Sequence, residues 1–179
     1  MSIAPKNIFS FTVITGIEIY GALDDLWLNK DTDEIVVLDY KATSNKNLED
    51  YTTSSKHYHK GYLRQLDFYA YLLQLNDFKV HDTGYWLICN AADQSTPGFP
   101  INSRVDALLK EEFDELRAKG KPHPIFEEYK LNFVPYNGLD EETLRKYRHN
   151  FSGVRATSKK TGIETVSYTH LTLPTTSPV

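Results

Sequence analysis

The sequence has a single cysteine, Cys89, among its 179 residues. One thiol cannot form a disulfide within the chain, and it cannot supply a multi-cysteine zinc or iron–sulfur site. Long apolar runs are also missing, because no stretch of about 18 apolar residues occurs that would suit a membrane span. The first residues, MSIAPKNIFSF, lack the basic start and apolar stretch of a signal peptide. These absences predict a cytoplasmic protein with no disulfide partner and no membrane association.

An excess of positive charge is absent as well. The net charge of −4 at pH 7 excludes a protein that coats nucleic acid by charge alone. It leaves open a protein in which bound cations invert the local field beside a phosphate. The composition is otherwise that of a globular domain, 40% hydrophobic and 25% charged, and 12 Tyr and 9 Phe supply a sizeable core.

The first half of the chain alternates between strand and helix patterns. Residues 9–29 are rich in β-branched and aromatic residues and are predicted to be extended. A polar turn at 30–34 leads to an apolar strand at 35–43, so the two arms are predicted to form an antiparallel hairpin. Apolar residues at helical spacing predict an amphipathic helix over 61–76, and residues 82–91 have the pattern of another strand.

The second half differs in character. Residues 92–103 contain two prolines and a glycine and are predicted to be a linker. Helices are predicted over 104–120, which has one apolar face and ends at a glycine, and over 139–151, which begins with acids and ends with bases. Residues 165–179 contain neither acid nor base and are predicted to be a disordered tail.

Two aspartates on the arms of the predicted hairpin are the first candidate site residues. Paired strands can bring Asp24 and Asp39 together, and two close carboxylates repel unless a hard cation such as Mg²⁺ or Mn²⁺ neutralises them. Lys41 lies two positions beyond Asp39, so both side chains project from one face of the strand. An ammonium there can position a water or stabilise charge on a phosphate.

Gln65 and Tyr69 are one helical turn apart on one face of the predicted helix, where they could meet Lys41 or a substrate backbone. Taken singly, each of these signals also fits a structural interpretation. A D-x-K sequence at a strand end is more often a solvated salt bridge, and Q-x-x-x-Y is more often a packed helix edge. Asp25 is expected to be a surface acid or a turn residue, Cys89 a core thiol and the six histidines surface residues.

The ordered combination is more specific than its parts. G-x-x-D, a turn, an apolar strand ending in D-x-K and a helix with Q-x-x-x-Y together resemble the PD-(D/E)XK nuclease superfamily, and within it the RecB-type exonuclease domains. The resemblance covers about residues 9–93 and matches Gly21 and Asp24 to its first motif. It implies an α/β fold in which a mixed central sheet, with a β-hairpin that carries the active site, is flanked by helices.

The resemblance also implies the chemistry. Asp24, Asp39 and the backbone carbonyl of Tyr40 would bind Mg²⁺ or Mn²⁺, and Lys41 would assist the attacking water. Gln65 and Tyr69 would support the site and the contact with DNA. The expected activity is a metal-dependent deoxyribonuclease that hydrolyses phosphodiester bonds. Three alternatives are a non-catalytic nucleic-acid-binding module on the same fold, an inactive truncated fragment and a non-nuclease metal hydrolase.

The tetrapeptide TGIE occurs twice, at 15–18 and at 161–164. Residues 94–164 resemble the leading part of a group of bacterial and metagenomic members of this family, in which KKTGIE would run directly into IYGALDDLW. The chain would then hold the halves of one domain in reversed order, either as a natural permutant or as a chimera. In the same interpretation the tail from residue 165 resembles a translated sequencing adapter and is not biological.

Three parts of the chain follow from this interpretation. Residues 1–93 would form the nuclease core with the metal-site motifs, and residues 94–164 would be a helical segment that packs on the same core. Residues 165–179 would be the disordered tail. If the helix over 104–120 is the leading helix of the family, Asp106 or Glu112 becomes a further candidate metal ligand, although for either acid taken alone a solvated helix face is the more frequent explanation.

Overall fold

A computed structural model describes residues 2–7, 17–43, 57–90, 99–157 and 163–164. The strands and helices are numbered in chain order. They are β1 Ser2–Asn7, β2 Ile17–Gly21, β3 Asp25–Asn29, β4 Glu34–Thr43, α1 His57–Leu75, β5 Thr83–Asn90, α2 Phe99–Lys119, α3 Pro124–Glu128, β6 Phe133–Pro135, α4 Glu141–Tyr147, β7 Val154–Thr157 and β8 Ile163–Glu164.

The main sheet is mixed. Its strand order is β1-β5-β4-β3-β6, so β4 is the central strand. It pairs antiparallel with β3 and parallel with β5. The parallel neighbours are joined through α1, because a parallel connection needs a crossover. The structure therefore confirms the predicted α/β fold with a mixed central sheet, and β3 and β4 form the predicted hairpin.

Both faces of the sheet are covered, which explains why β4 is a nearly continuous apolar run. Side chains that alternate along β4 enter two different cores. Val37 contacts the cluster around Leu66 and Leu73 of α1, whereas Val36 and Leu38 contact the cluster formed with α2 and α3. Asp39 shares its parity with Val37, and the strand pattern therefore directs its side chain toward the α1 face.

A smaller sheet has the order β7-β2-β8. Strand β2 pairs antiparallel with β7, with Glu18 opposite Thr157. It pairs in parallel with β8, and here the last two residues of each TGIE copy lie side by side, Ile17 opposite Ile163 and Glu18 opposite Glu164. The Ile-Glu ends of the two copies are thus neighbours in the same sheet.

Several element boundaries differ from the sequence predictions. The extended stretch 9–29 contains two strands in two different sheets, because residues 22–24 separate β2 from β3; residues 9–16 lie outside the described part. Helix α2 begins at Phe99, inside the predicted linker. The helix predicted over 139–151 ends at Tyr147, and residues 94–164 also contain three short strands. Within the described part of the chain, no helix is long and apolar enough to cross a membrane.

Candidate active site

The two candidate aspartates meet where the β3–β4 ladder ends. The last paired residues are Asp25 and Leu38, which leaves Asp24 and Asp39 at the next opposed positions. Asp24 Oδ2 accepts a hydrogen bond of 2.8 Å from the backbone N–H of Tyr40. This bond holds the Asp24 carboxylate against the β4 backbone directly beside Asp39, where sequence reasoning expected it.

Lys41 connects the aspartates to helix α1. Its Nζ forms an ion pair with Asp39 Oδ2 and donates a hydrogen bond of 3.1 Å to Gln65 Oε1. Gln65 Nε2 in turn donates to the hydroxyl of Tyr69 at 2.7 Å. The ammonium also lies 4.5 Å from the centre of the Tyr62 ring, within the range of a cation–π contact. The structure thus brings the D-x-K strand end and the Q-x-x-x-Y helix into one continuous network.

Gly21 makes the position of this helix possible. A Cβ at residue 21 would lie 2.8 Å from the Tyr69 ring and 3.1 Å from the Phe68 ring. Tyr69 is only 2% exposed and is part of the α1-facing core. The glycine of the G-x-x-D motif therefore lets α1 approach β2 closely enough for Gln65 to reach Lys41.

One cavity of about 650 Å³ is lined by the candidate site residues Asp24, Asp39, Lys41, Gln65 and Tyr69. Helix α2 and the turn after α4 complete its wall. The lining residues are Ala22, Asp24, Asp39, Tyr40, Lys41, Ala42, Tyr62, Gln65, Tyr69, Val105, Asp106, Leu109, Lys110, Arg148, His149, Asn150 and Phe151. Three acids and three bases therefore share one concave surface.

The electrostatics of the aspartates suit a cation. Burial and, second to it, the negative charge of Asp39 raise the pKa of Asp24 from its ordinary value of 3.8 to about 7, although Lys41 and Lys110 lower it. Asp39 is 1% exposed, and within the described part of the chain its Oδ1 has no hydrogen-bond donor, while Oδ2 is paired only with the Lys41 ammonium. A buried carboxylate whose only partner is an ammonium is an unusually unsatisfied group.

Helix α2 contributes a second ammonium. Lys110 Nζ lies 2.9 Å from Asp106 Oδ2 and 3.8 Å from Asp24 Oδ1. Asp106 therefore lines the cavity, held by a lysine that also faces the aspartate pair. Glu112 lies away from it and contacts His123 at 2.9 Å. Of the two acids that sequence reasoning left open, the structure brings Asp106 to the site.

A buried ion-pair network lies behind the site, and sequence reasoning missed it. Asp25, expected to be a surface acid, is fully buried. Its carboxylate accepts hydrogen bonds from the Tyr40 hydroxyl at 3.0 Å, from Arg148 at 3.0 Å and from Arg117. Asp114 bridges the same two arginines. The one available signal was the alternation of β3, which puts Asp25 on the same face as the buried Trp27.

This network fixes the ionisation of its members. Burial raises the pKa of the Tyr40 hydroxyl well above its ordinary value, and the charge of Asp25 raises it further. Burial lowers the pKa of Arg148, but the carboxylates of Asp25 and Asp114 outweigh burial and leave it above its ordinary value. Tyr40 therefore remains a neutral hydrogen-bond donor. Its side chain is held by Asp25 while its backbone N–H holds Asp24.

Two other sequence expectations can be compared with the structure. Cys89 is half-buried against the α2-facing core, and burial raises the pKa of its thiol, in agreement with a core thiol. The expectation of surface histidines is wrong for His59 and His123, which are 3% and 6% exposed. His123 is buried because its ring stacks on Phe113 and its Nδ1 accepts a hydrogen bond from Ile125 at the start of α3.

The residues present fit a divalent cation with few protein ligands. Within the described residues, no group of three or more His, Cys, Asp or Glu side chains could hold a metal ion. The two facing aspartates are hard oxygen donors, and Asp39 Oδ1 has no hydrogen-bond donor in the part of the chain that the structure describes. Mg²⁺ commonly binds through one or two carboxylates and retains several waters, so a two-carboxylate site is sufficient.

Comparison with known proteins agrees with this geometry. The family model of the PD-(D/E)XK nuclease superfamily matches residues 2–167. Because the match spans most of the sequence, the chain belongs to that superfamily. Its members are generally nucleases and typically use divalent metal ions. Neither a curated protein nor a solved structure matches the chain.

Proposed function

We propose that this protein is a divalent-metal-dependent deoxyribonuclease of the RecB-like exonuclease type. The observation that carries the proposal is the buried carboxylate of Asp39 beside Asp24: its Oδ2 pairs with Lys41, but its Oδ1 has no hydrogen-bond donor among the described residues. Burial of a polar atom without a partner is costly, so its retention beside a second carboxylate argues for a cation that the site binds. The family supplies the type of reaction, phosphodiester hydrolysis.

Asp24, Asp39 and the backbone carbonyl of Tyr40 are the residues proposed to bind Mg²⁺ or Mn²⁺. A bound divalent ion would activate a water and neutralise charge on the phosphate. The aspartates lie at the ends of paired strands, and Tyr40 N–H fixes the direction of the Asp24 carboxylate. Such a rigid arrangement holds the donor atoms in place before substrate arrives, which is what a catalytic site requires.

Lys41 is proposed to act on the attacked phosphate and its water. Its side chain is 14% exposed and lines the cavity, with the ammonium between Asp39 and Gln65. Gln65 Oε1 accepts a hydrogen bond from one of the three N–H groups of Lys41, and this bond orients the ammonium. Tyr69 accepts from Gln65 and thereby fixes the orientation of the amide. Gln65 and Tyr69 are thus proposed as positioning residues for Lys41.

Lys110 offers a second positive charge on the α2 side of the cavity, 3.8 Å from Asp24. A phosphodiester that enters the cavity carries negative charge and would find lysines on both walls. These local charges offset the net charge of −4 of the chain. The substrate is therefore proposed to bind through local contacts in the cavity. A cytoplasmic location is also proposed, and the single cysteine is compatible with it.

The domain proposal also gains support from packing. Leu109 and Phe113 of α2 are buried in the cluster that contains Val36 and Leu38 of β4. Residues of the second half therefore complete the core and the cavity of the first half. We propose that residues 94–164 and 1–93 form one nuclease domain, and that residues 165–179 are not part of it.

The test is cleavage of end-labelled single- and double-stranded DNA in Mn²⁺, Mg²⁺ or EDTA. The wild-type protein should release nucleotides with either metal and none in EDTA. Lys41→Ala should lose at least about 100-fold in rate, the scale for a group that stabilises the transition state, and should keep its affinity for DNA. Lys119→Ala removes an exposed lysine outside the cavity and is the matched control.

The outcomes separate the alternatives. A folded protein that binds DNA but cleaves neither substrate in any metal would favour a non-catalytic binding module. A protein without a cooperative melting transition would be an inactive fragment. Equal loss of cleavage in Lys41→Ala and Lys119→Ala would show that Lys41 has no special role.

A further inference from the structure

The turn after α4, residues 148–153, forms part of the rim of the cavity. Arg148, His149, Asn150 and Phe151 all line the cavity that contains Asp24 and Asp39. The functional assignment above uses none of these four residues to bind substrate. Arg148 is committed to the buried carboxylates of Asp25 and Asp114. The remaining three are exposed and available to a ligand.

Backbone contacts fix this turn relative to Asp24. Leu23 N–H donates to Tyr147 O at 2.9 Å, so the end of α4 is tied to the residue directly before Asp24. Gly153, at φ +53°, packs so closely on Gly21 that a Cβ would lie 2.6 Å from the Gly21 carbonyl oxygen. Within the turn, Gly153 N–H donates to His149 O at 2.9 Å. The turn is therefore attached to the end of β2 and to the connection that carries Asp24.

Phe151 projects from this fixed turn into solvent. Its side chain is 73% exposed, more than any other large hydrophobic side chain of the described residues. The His149 ring lies beside it, with 5.7 Å between ring centroids and an angle of 52° between the planes. A phenyl ring left in water beside a polar, charged cavity is expected to gain free energy when a flat apolar surface covers it.

We propose that Phe151, with His149 beside it, is a stacking platform for an unpaired base of the strand whose phosphate occupies the aspartate site. This inference rests on the proposed nuclease function and specifies its substrate as a single strand or a frayed end. The aspartates and lysines suit the phosphate, and the next flat group along a nucleic acid is a base. Base–aromatic stacking is a recurring, sequence-tolerant way to hold single strands.

An intact duplex would not satisfy this platform. Its bases are already paired and stacked, so one would have to leave the helix before a side chain could stack on it. A single-stranded substrate presents its bases at no such cost. The platform therefore favours single strands over duplexes.

The test pairs protein substitutions with base removal. Binding of a labelled 12-nucleotide single-stranded DNA is measured by fluorescence anisotropy in a Lys41→Ala background, which keeps the DNA intact. Phe151→Ala should weaken binding by about 5- to 100-fold, the range of one stacked base, and Phe151→Trp should preserve it. Tyr129→Ala removes an exposed aromatic ring outside the cavity and should change nothing.

A series of oligonucleotides, each with one abasic position, identifies the stacked base. At one position, base removal should weaken binding to the protein that retains Phe151. It should leave binding to the Phe151→Ala variant unchanged. In the wild-type background, Phe151→Ala should reduce the rate at which single strands are cleaved while leaving the melting temperature unchanged. The inference would be overturned if every abasic position weakened binding equally in both proteins. It would also be overturned if Tyr129→Ala weakened binding as much as Phe151→Ala does.

This result is separable from the proposed function. DNA cleavage that does not depend on Phe151 would refute the platform and leave the nuclease assignment intact. Binding that depends jointly on Phe151 and on one base, without cleavage in any metal, would support the platform and refute the nuclease assignment.

Discussion

Tyr40 N–H donates a hydrogen bond of 2.8 Å to Asp24 Oδ2, and its own hydroxyl donates one of 3.0 Å to Asp25 Oδ2. One residue of the central strand thus holds two consecutive acids, Asp24 just before β3 and Asp25 at its start. Asp24 is turned to the cavity beside Asp39, and Asp25 is turned to the buried arginines. The geometry of the candidate metal site depends on this clamp.

Without metal, the Asp24→Asn variant should become increasingly more stable than the wild type as pH rises. The folded pKa of Asp24 is about 7 and the ordinary value is 3.8, because burial and Asp39 disfavour its charge. In the wild type, the destabilisation caused by ionising Asp24 is absent below pH 3.8. It grows as pH rises and is complete above pH 7. From pH 5 to pH 8 the difference in unfolding free energy between variant and wild type should grow by roughly 2–3 kcal/mol.

Urea denaturation at each pH in the presence of EDTA measures this difference. Asp82→Asn is the control, since Asp82 is 85% exposed and outside the cavity. Its stability should follow that of the wild type at every pH. A constant gap between Asp24→Asn and wild type across this range would be inconsistent with the raised pKa.

Gly21→Ala should destabilise the protein and disturb the Lys41 network. The new methyl group would lie 2.8 Å from the Tyr69 ring, so α1 must move away from β2. Overpacking of this kind costs about 1–3 kcal/mol. Cleavage should fall as well, because Gln65 moves with the helix. Gly61→Ala, in the same helix with open space around its Cβ, should instead stabilise by about 0.5–1 kcal/mol.

Thermal melts and cleavage rates of the two glycine variants are the measurements. If Gly21→Ala melts and cleaves as the wild type does, the close approach of Tyr69 has no role in positioning Lys41.

Asp25→Asn should be among the most destabilising single changes in the chain. It leaves Arg117 and Arg148 without their shared buried carboxylate, and breaking a buried ion pair costs about 3–5 kcal/mol. Asp114→Asn removes a carboxylate that touches the same two arginines but is 45% exposed, and it should cost less. Urea denaturation compares the two, and an equal or smaller loss for Asp25→Asn would contradict the proposed importance of the network.

The pairing of β7 with β2 leads to an expectation about chain order. In a rearranged chain that runs from residue 94 to 164 and continues at residue 19, Glu164 takes the place of Glu18. Strand β7 would then be joined to β2 by a short loop and would form a local antiparallel hairpin, as the register of Thr157 opposite Glu18 allows. We expect this rearranged chain, 94–164 followed by 19–93, to fold cooperatively although it lacks β1, which pairs with β5 in the present order.

A cooperative urea transition is the expected result for the rearranged chain. A rearranged chain without a cooperative transition would count against the reversed-order interpretation. The experiment needs no assumption about catalysis, because it measures only whether the rearranged chain folds.

The sequence predicted the parts of the site that depend on short-range spacing. Period-two alternation and a polar turn were enough to predict the hairpin of Asp24 and Asp39, and helical spacing put Gln65 and Tyr69 on one face. Sequence reasoning missed contacts between distant residues. Arg117 and Arg148 reach Asp25 from 92 and 123 positions away. No local pattern indicates such pairings, because tertiary packing alone determines them.

The exposed ring of Phe151 was missed for a related reason. Within the sequence it looked like the end of a helix predicted over 139–151, where an apolar residue suggests burial. The helix instead ends at Tyr147, since the chain turns to bring Gly153 against Gly21. That turn, which sequence periodicity does not reveal, puts the ring at the rim of the cavity.

The most direct test of the metal-site assignment is a titration of Mn²⁺, followed by electron paramagnetic resonance at pH 8, where Asp24 is ionised. The wild type and the Asp82→Asn control should bind Mn²⁺ equally. Asp24→Asn and Asp39→Asn should each bind at least about tenfold more weakly, or roughly 1.4 kcal/mol, and should lose DNA cleavage in parallel. If both variants bind Mn²⁺ as tightly as the wild type, the two facing aspartates are not the metal site.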